Sequence, residues 1–162
     1  MRKYILTSEQ SAANCGFTDL IVIPYTDWAG KTASFDTALL TLDKGDVVYD
    51  QTTLCIKTAF AGTITGNTMT AAVGRTASAY ADFLAAITLS TTGTWDATVD
   101  TANYTVAAGA GIAHQPIAAD STIVYLRLAI TAGSTSLTGL TAGEMQIWLK
   151  ICRSSGRNRI LA

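Results

Sequence analysis

The sequence predicts an all-β fold, a β-sandwich with the jelly roll as one of the topologies that fit. About a third of the 162 residues are threonine or alanine, and only two are proline. Threonine is stiff at its first side-chain torsion and fits a pleated sheet. Strand-like runs alternate with turns at intervals of roughly 10 to 15 residues, which gives about seven to nine strands and is typical of sandwiches.

The first half of the chain contains several of these runs. Residues 20–23 (Leu-Ile-Val-Ile) are a short β-rich run, and Phe35 to Leu42 mixes apolar residues with threonine. Between Val47 and Phe60 the apolar residues change parity across Gln51-Thr52-Thr53, which predicts a bulge or a break in the strand. Residues 68–73 then form another predicted strand.

One short helix is predicted near 76–87, where the period-two pattern is lost. The apolar residues recur at helical spacing, and Thr76 or Ser78 could cap the first turn. These apolar residues are Tyr80, Phe83, Leu84 and Ile87.

Two late strands are the clearest in the sequence. Thr122 to Ile130 is almost continuously apolar, which predicts a central strand buried on both faces. Gly143 to Ile151 alternates instead, which predicts one buried and one exposed face. Its inward residues would be Met145, Ile147, Leu149 and Ile151, and its outward residues Glu144, Gln146, Trp148 and Lys150.

The chain length fits a single domain. We expect this sandwich to carry an N-terminal arm over about residues 1–18 and a basic C-terminal tail over about residues 152–162. The apolar stretches are far shorter than the roughly 20 residues that cross a bilayer, so no membrane partner is expected. Cys15, Cys55 and Cys152 lack metal-binding spacing, and we expect buried, reduced thiols and synthesis in a reducing cytoplasm.

Few residues suit catalysis. His114 is the one histidine and lies outside any nucleophile motif, so a loop or interface position is expected. Asp43 and Asp46 flank Lys44-Gly45 and are interpreted as turn residues that bind the local backbone, because a calcium loop needs a denser set of oxygens. We expect no catalytic residues, no cofactor and no metal. A net charge of −1 gives no overall field that would attract nucleic acid, so no nucleic-acid partner is expected.

Aromatic side chains at polar positions and the basic tail are the candidate binding residues. Trp28 and Trp95 lie in predicted loops, and Trp148 lies on the outward face of its strand; tryptophan is enriched at interfaces. The tail could dock on an acidic surface of a neighbouring subunit. Its candidate residues are Arg153, Arg157 and Arg159.

The succession of strands and turns also resembles a known class of proteins. The relevant stretches are residues 44–50 (KGDVVYD), 54–60 (LCIKTAF), 71–74 (AAVG), 82–86 (DFLAA) and 141–147 (TAGEMQI). This pattern, over roughly Asp43 to Lys150, is similar to small β-sandwich structural proteins of tailed bacteriophages. Those are virion components, often capsid decoration (cement) proteins, and commonly trimers.

The resemblance implies a non-enzymatic protein made in the host bacterial cytoplasm and located on the capsid surface. Its partners would be the major capsid protein and further copies of itself, as a homotrimer. A tail or neck component and a carbohydrate-binding sandwich with Trp28 or Trp95 as a sugar platform are the alternatives, and a hydrolase using His114 or an acid pair is a more remote one. Truncation after Lys150 is expected to weaken attachment and leave the fold intact.

Overall fold

The computed structural model describes residues 1–31, 34–49, 52–63, 69–75, 82–91, 94–95, 104–105, 117–119, 121–130, 137 and 139–154. The elements in chain order are β1 (Arg2–Ile5), α1 (Ser8–Ala13), β2 (Asp19–Pro24), a 3-10 turn (Tyr25–Asp27), β3 (Phe35–Leu42), β4 (Val47–Val48), β5 (Thr53–Thr63), β6 (Met69–Gly74), β7 (Leu84–Thr91), β8 (Thr94–Trp95), β9 (Tyr104–Thr105), β10 (Thr122–Ile130), β11 (Gly139–Leu149) and β12 (Ile151–Cys152).

The strands form two five-stranded sheets, which confirms the predicted all-β sandwich. The first sheet has the order β1-β2-β11-β5-β9, and the second has the order β3-β10-β6-β7-β8. A two-stranded ribbon of β12 and β4 lies apart from both. All of the strand pairs are antiparallel.

The order of pairing is that of a jelly roll. The pairs are nested along the chain: β2 pairs with β11, β3 with β10, β5 with β9 and β6 with β7. Successive pairs belong alternately to the first and the second sheet, as they do when one long antiparallel ribbon is rolled up. The additional contacts of β11 with β5 and of β10 with β6 join neighbouring turns of this roll.

The core lies between the two sheets and consists of alternate residues of their strands. On β11, Met145, Ile147 and Leu149 are completely buried, as the alternation predicted. Inward side chains of the facing sheet pack into the same cluster, which joins the two sheets. The facing residues from β3 and β10 include Leu39, Leu42, Val124, Leu126 and Leu128.

Strand β10 lies inside its sheet but is buried on one face only, so the prediction of burial on both faces was wrong. Val124, Leu126 and Leu128 face the core, whereas Ile123 is 37% exposed. Arg127, on the outer face, pairs with Asp36 of β3 at 3.2 Å. The apolar run therefore marks β10 as an interior strand of its sheet, although the outer face of that sheet lies at the protein surface.

The predicted helix near 76–87 was wrong where the structure describes it, because β7 begins at Leu84; residues 76–81 lie outside the described residues. The spacing that suggested a helix comes from an irregularity in strand pairing. Ala71 pairs with Ile87 and Val73 with Leu84, so two steps on β6 match three steps on β7. The extra residue brings Leu84 and Ile87, which are three apart, to the same core.

The parity change predicted across Gln51-Thr52-Thr53 corresponds to a break, the second of the two predicted options. Val47 and Val48 form β4 and pair with β12, whereas β5 starts at Thr53 and belongs to the first sheet. The two apolar parities therefore belong to two different strands with different partners.

The segment expected as an N-terminal arm contains an edge strand and the helix α1. Strand β1 pairs with β2 from Arg2 to Ile5. The helix starts with a capping box: the Gln10 N–H donates to Thr7 Oγ1 at 3.2 Å, and the Thr7 N–H donates to Gln10 Oε1 at 2.9 Å. Residues Arg2–Ala13 are thus tied to the sandwich edge and to each other.

A close approach at Gly143 shapes one end of the core. The Phe60 ring stacks on Trp28, with centroids 4.8 Å apart and planes 13° from parallel. Gly143 has φ +134°, and a Cβ there would lie 2.1 Å from Phe60 Cδ1. Only glycine therefore permits β11 to pass directly against the stacked rings.

Replacing Gly143 with alanine is expected to lower the free energy of unfolding by about 3–5 kcal/mol, from strain at this φ and overpacking against Phe60. Gly30→Ala is the matched control: Gly30 has φ +85° with nothing within 4 Å of an added Cβ. Its cost is about 1–2 kcal/mol, from backbone strain alone. Denaturant unfolding of both variants measures the difference, and equal costs would contradict the close packing at Gly143.

Candidate functional site

A row of apolar side chains crosses the outer face of the first sheet. Tyr4 of β1 is the register partner of Leu20 of β2, and Leu20 is the partner of Trp148 of β11. Directly opposed residues of antiparallel strands point to the same face. Because the neighbouring Ile21 and Ile147 fill the core, this row points outward, as was predicted for Trp148.

Phe17 adds a second aromatic ring to this row. Its ring lies 6.0 Å from that of Trp148, with the planes tilted by 57°, a spacing that is favourable for aromatic pairs. We call the four residues Tyr4, Phe17, Leu20 and Trp148 the Trp148 surface. Tyr4 is 44% exposed, and the other three are half-buried. Such an outward apolar cluster is typical of an interaction site.

The free edge of β1 adjoins the Trp148 surface. β1 is the outermost strand of its sheet in the described part of the chain. Among the described residues, the exposed large hydrophobic side chains are Met1, Tyr4, Ile5 and Ile123, and Ile5 is 69% exposed. Three of these four belong to β1 or to the residue before it, so exposed apolar area concentrates at this edge.

The backbone of β1 offers hydrogen bonds outward. In an antiparallel pair, alternate residues direct both of their backbone groups toward the same neighbour. The Leu6 N–H donates to the Thr18 carbonyl at 2.8 Å, so Leu6, Tyr4 and Arg2 bond toward β2. The N–H and C=O groups of Lys3 and Ile5 therefore point to the open edge.

The start of the C-terminal tail is fixed to the protein's own body. Arg153 forms an ion pair with Asp19 at 2.5 Å, and Asp19 also accepts a hydrogen bond from Thr18 Oγ1 at 2.6 Å. Arg153 was predicted to contact a neighbouring subunit. Its guanidinium is instead engaged within the chain, because it neutralises a carboxylate that is only 5% exposed.

A second anchor holds the next residue. The Asp46 carboxylate is 1% exposed, and it accepts hydrogen bonds from the Asp43 N–H at 3.1 Å and the Ser154 N–H at 2.8 Å. The first of these confirms the predicted turn role of Asp46. The second ties the tail to the turn, an interaction between residues too far apart in the sequence to be predicted.

The other candidate binding residues are not brought together with Trp148. Trp28 was expected at the surface but is fully buried in the core, since the Phe60 ring covers it. Trp95 belongs to β8 and pairs with Ser90 at the far edge of the second sheet. The structure describes the backbone of Trp95 but not its side chain. Arg157, Arg159 and His114 lie outside the described residues.

The three cysteines are free thiols, but the expectation of burial was wrong for two of them. Cys15 and Cys152 are exposed, and Cys55 is half-buried. Cys15 follows α1 in a turn with φ +56°, and Cys152 has the outward parity of β12, so neither reaches the core. Within the described ranges there is no group of three or more His, Cys, Asp or Glu side chains that could bind a metal ion.

None of the helices in the described part of the chain is long and apolar enough to cross a membrane.

Tyr4, Phe17 and Leu20 are the members of the Trp148 surface that the sequence analysis missed, and it also missed Ile5 at the adjoining edge. The run from Arg2 to Leu6 is too short to show a periodicity, and it was included in the expected N-terminal arm. The pattern that could have placed it was Thr7-Ser8-Glu9-Gln10, a capping-box sequence that marks a helix start directly after the run.

Comparisons of the chain with protein-family models, with curated proteins and with solved structures found no match.

Asp46→Ala is expected to lower the free energy of unfolding by about 2–3 kcal/mol, because it removes a buried carboxylate that accepts hydrogen bonds from the N–H groups of Asp43 and Ser154. It is also expected to speed tryptic cleavage at Arg153. The control is Asp36→Ala, which removes a partly exposed ion pair with Arg127 and costs about 0–1 kcal/mol. Native cleavage rates in Asp46→Ala would show that Asp46 does not hold the tail.

Proposed function

We propose that this chain is a non-enzymatic structural protein of a tailed-bacteriophage virion, a capsid decoration (cement) protein on the head surface. Its partners are the major capsid protein and further copies of itself, as a homotrimer. The proposal joins the resemblance of residues 43–150 to phage sandwich proteins with the kind of surface that the fold presents.

The observation that carries the proposal is the Trp148 surface. Tyr4, Leu20 and Trp148 come from the neighbouring strands β1, β2 and β11, so one sheet holds them side by side. Phe17 lies two residues before β2 and contacts Trp148. A flat, rigid, mainly apolar surface binds another protein surface with little loss of side-chain entropy. A small-molecule site would instead be concave.

The tail supplies a second contact of different chemistry. Arg153 and Ser154, which directly follow β12, are anchored to the body of the protein. Arg157 and Arg159 follow them in the sequence. In the proposed function they bind acidic groups of the neighbouring shell subunit.

Two modest contacts suffice on a shell that repeats the same binding site. When several copies are joined, each further contact forms at a high effective concentration, and the total affinity exceeds that of one contact by orders of magnitude. A decoration protein therefore needs neither a large interface per copy nor a deep pocket.

The first test is the copy number of this protein in purified particles, measured by quantitative mass spectrometry relative to the most abundant shell protein. A capsid decoration protein is expected at the same order of abundance as the shell protein. A ratio lower by about tenfold or more would favour the tail or neck, where fewer identical sites exist. Absence from particles would reject the virion proposal and make a glycan array the next measurement.

Trp148→Ala is expected to weaken attachment to particles stripped of this protein by about 30-fold, the effect of removing a central aromatic contact. The matched control is Ile123→Ala, which removes an exposed apolar side chain from the outer face of the other sheet and is expected to bind normally. Co-sedimentation with the particles measures both. Equal binding by the two variants would exclude the Trp148 surface.

The tail is tested in the same assay, with the truncation placed where the structure allows it. Truncation after Lys150 would delete the buried Ile151, which is 4% exposed, and the anchoring residues Arg153 and Ser154. We therefore expect this truncation to destabilise the fold, contrary to the expectation from the sequence. Truncation after Ser154 retains these residues. It is expected to weaken attachment without changing the unfolding midpoint, and undiminished attachment would exclude the tail.

A further inference from the structure

We infer that the free edge of β1 pairs with β1 of a second copy of this chain, around a two-fold axis through Tyr4, and joins two sheets into one continuous sheet. The inference concerns the isolated protein and does not depend on a role in virions. It rests on the backbone direction, the side-chain register and the charge order of the first nine residues.

The backbone of β1 is arranged for such a pairing. Lys3 and Ile5 direct their N–H and C=O groups away from β2, as the Leu6–Thr18 hydrogen bond indicates. An edge of this kind binds another strand through main-chain hydrogen bonds. Two copies of β1, run antiparallel with Lys3 of each opposite Ile5 of the other, satisfy all of these groups.

The side chains favour this register over its neighbours. With Tyr4 on the axis, the two tyrosines form a cross-strand aromatic pair, which stabilises antiparallel sheets. A register with Lys3 on the axis would set two ammonium groups directly opposite each other, which is destabilising. With Ile5 on the axis, Lys3 would meet Thr7, where the strand has ended and the capping box of α1 begins.

Charge order makes the same segment complementary to itself. Residues 1–13 carry Arg2 and Lys3 at the beginning and Glu9 on α1 toward the end, and no other charged side chain. An antiparallel pair places the basic beginning of one copy beside the acidic helix start of the other. A parallel pair would instead bring like charges together. Within its own chain Arg2 also pairs with Glu144 at 3.3 Å, but its side chain remains 63% exposed. This charge order favours a second copy as the partner of the edge.

The pairing would also unite two Trp148 surfaces. Tyr4, Leu20 and Trp148 occupy one row across β1, β2 and β11. A two-fold axis perpendicular to the sheet keeps outer faces on the same side. The row then runs from one Trp148 through both tyrosines to the other Trp148, as an apolar strip across six strands.

The size of the contact sets its strength. A pairing of two short strands buries less area than the roughly 1,200 Å² of stable protein interfaces, so a dissociation constant between about 100 μM and 1 mM is expected. Since the contact is two-fold, it cannot by itself build a trimer. In a trimeric decoration protein it would connect one trimer to the next.

The test is sedimentation equilibrium of the purified chain over roughly 10 μM to 1 mM, with two variants of Lys3. Lys3→Pro removes the outward N–H without touching the ladder to β2, a place where edge strands tolerate proline. It is expected to raise the dissociation constant tenfold or more. Lys3→Ala keeps the N–H and is expected to dimerise normally. A wild-type chain that stays monomeric throughout, or equal dimerisation of the two variants, would overturn the inference.

The register is tested by a cross-link, which does not depend on the proline variant folding. In a Cys15→Ser/Cys152→Ser background, Tyr4→Cys is expected to form an interchain disulfide under mild oxidation. Residues in a non-hydrogen-bonded antiparallel pair have Cα atoms about 4.5 Å apart, within disulfide range. Lys3→Cys, which faces Ile5 rather than itself, is expected to remain unlinked, as is the background protein that retains Cys55. Equal cross-linking at both positions, or none at Tyr4→Cys, would overturn this register.

Discussion

The structure depends above all on the position of β11 between β2 and β5. This last long strand joins the beginning of the chain to its middle, and its inward residues Met145, Ile147 and Leu149 fill the centre of the core. Its pairing with β5 shifts register at three points around Ala142 and Glu144, where Gly143 lets the chain pass the Phe60 ring. Because these contacts join residues far apart in sequence, the first sheet can close only after almost the whole chain is available, which makes folding slow.

The sequence predicted those elements whose two faces differ in polarity. The alternation from Gly143 onward predicted the inward and outward residues of β11 correctly, and the parity change across Gln51-Thr52-Thr53 located a real break. The errors occurred where a strand pairing is irregular. An extra residue on β7 opposite β6 produced apolar spacing like that of a helix, and β10 is buried on one face although its outer face is also apolar except at Arg127. Register irregularities arise from the partner strand, so a single segment does not reveal them.

The candidate site was predictable only in part, for a related reason. Trp148 was placed on an outward face from its own strand, but Trp28 was misplaced because a loop position in sequence gives no information about a ring such as Phe60 stacking over it. Arg153 was assigned to a partner, although a buried carboxylate at Asp19 lies beside it in the fold. The surface that unites Tyr4, Leu20 and Trp148 exists only through strand order, and strand order in a jelly roll brings together the first, second and penultimate strands of the chain.

The two proposed contacts use different groups and are therefore compatible. Arg153 is anchored at Asp19, which is the register partner of Ile5 at the far end of β1. In an antiparallel pair of β1 strands, the two Ile5 ends lie on opposite sides of the axis, so the two anchored Arg153 residues also lie on opposite sides of it. The apolar strip between them stays on one face. A pair of molecules would thus present one shared apolar surface with a basic tail at each end, an arrangement suited to binding two equivalent sites on one flat partner.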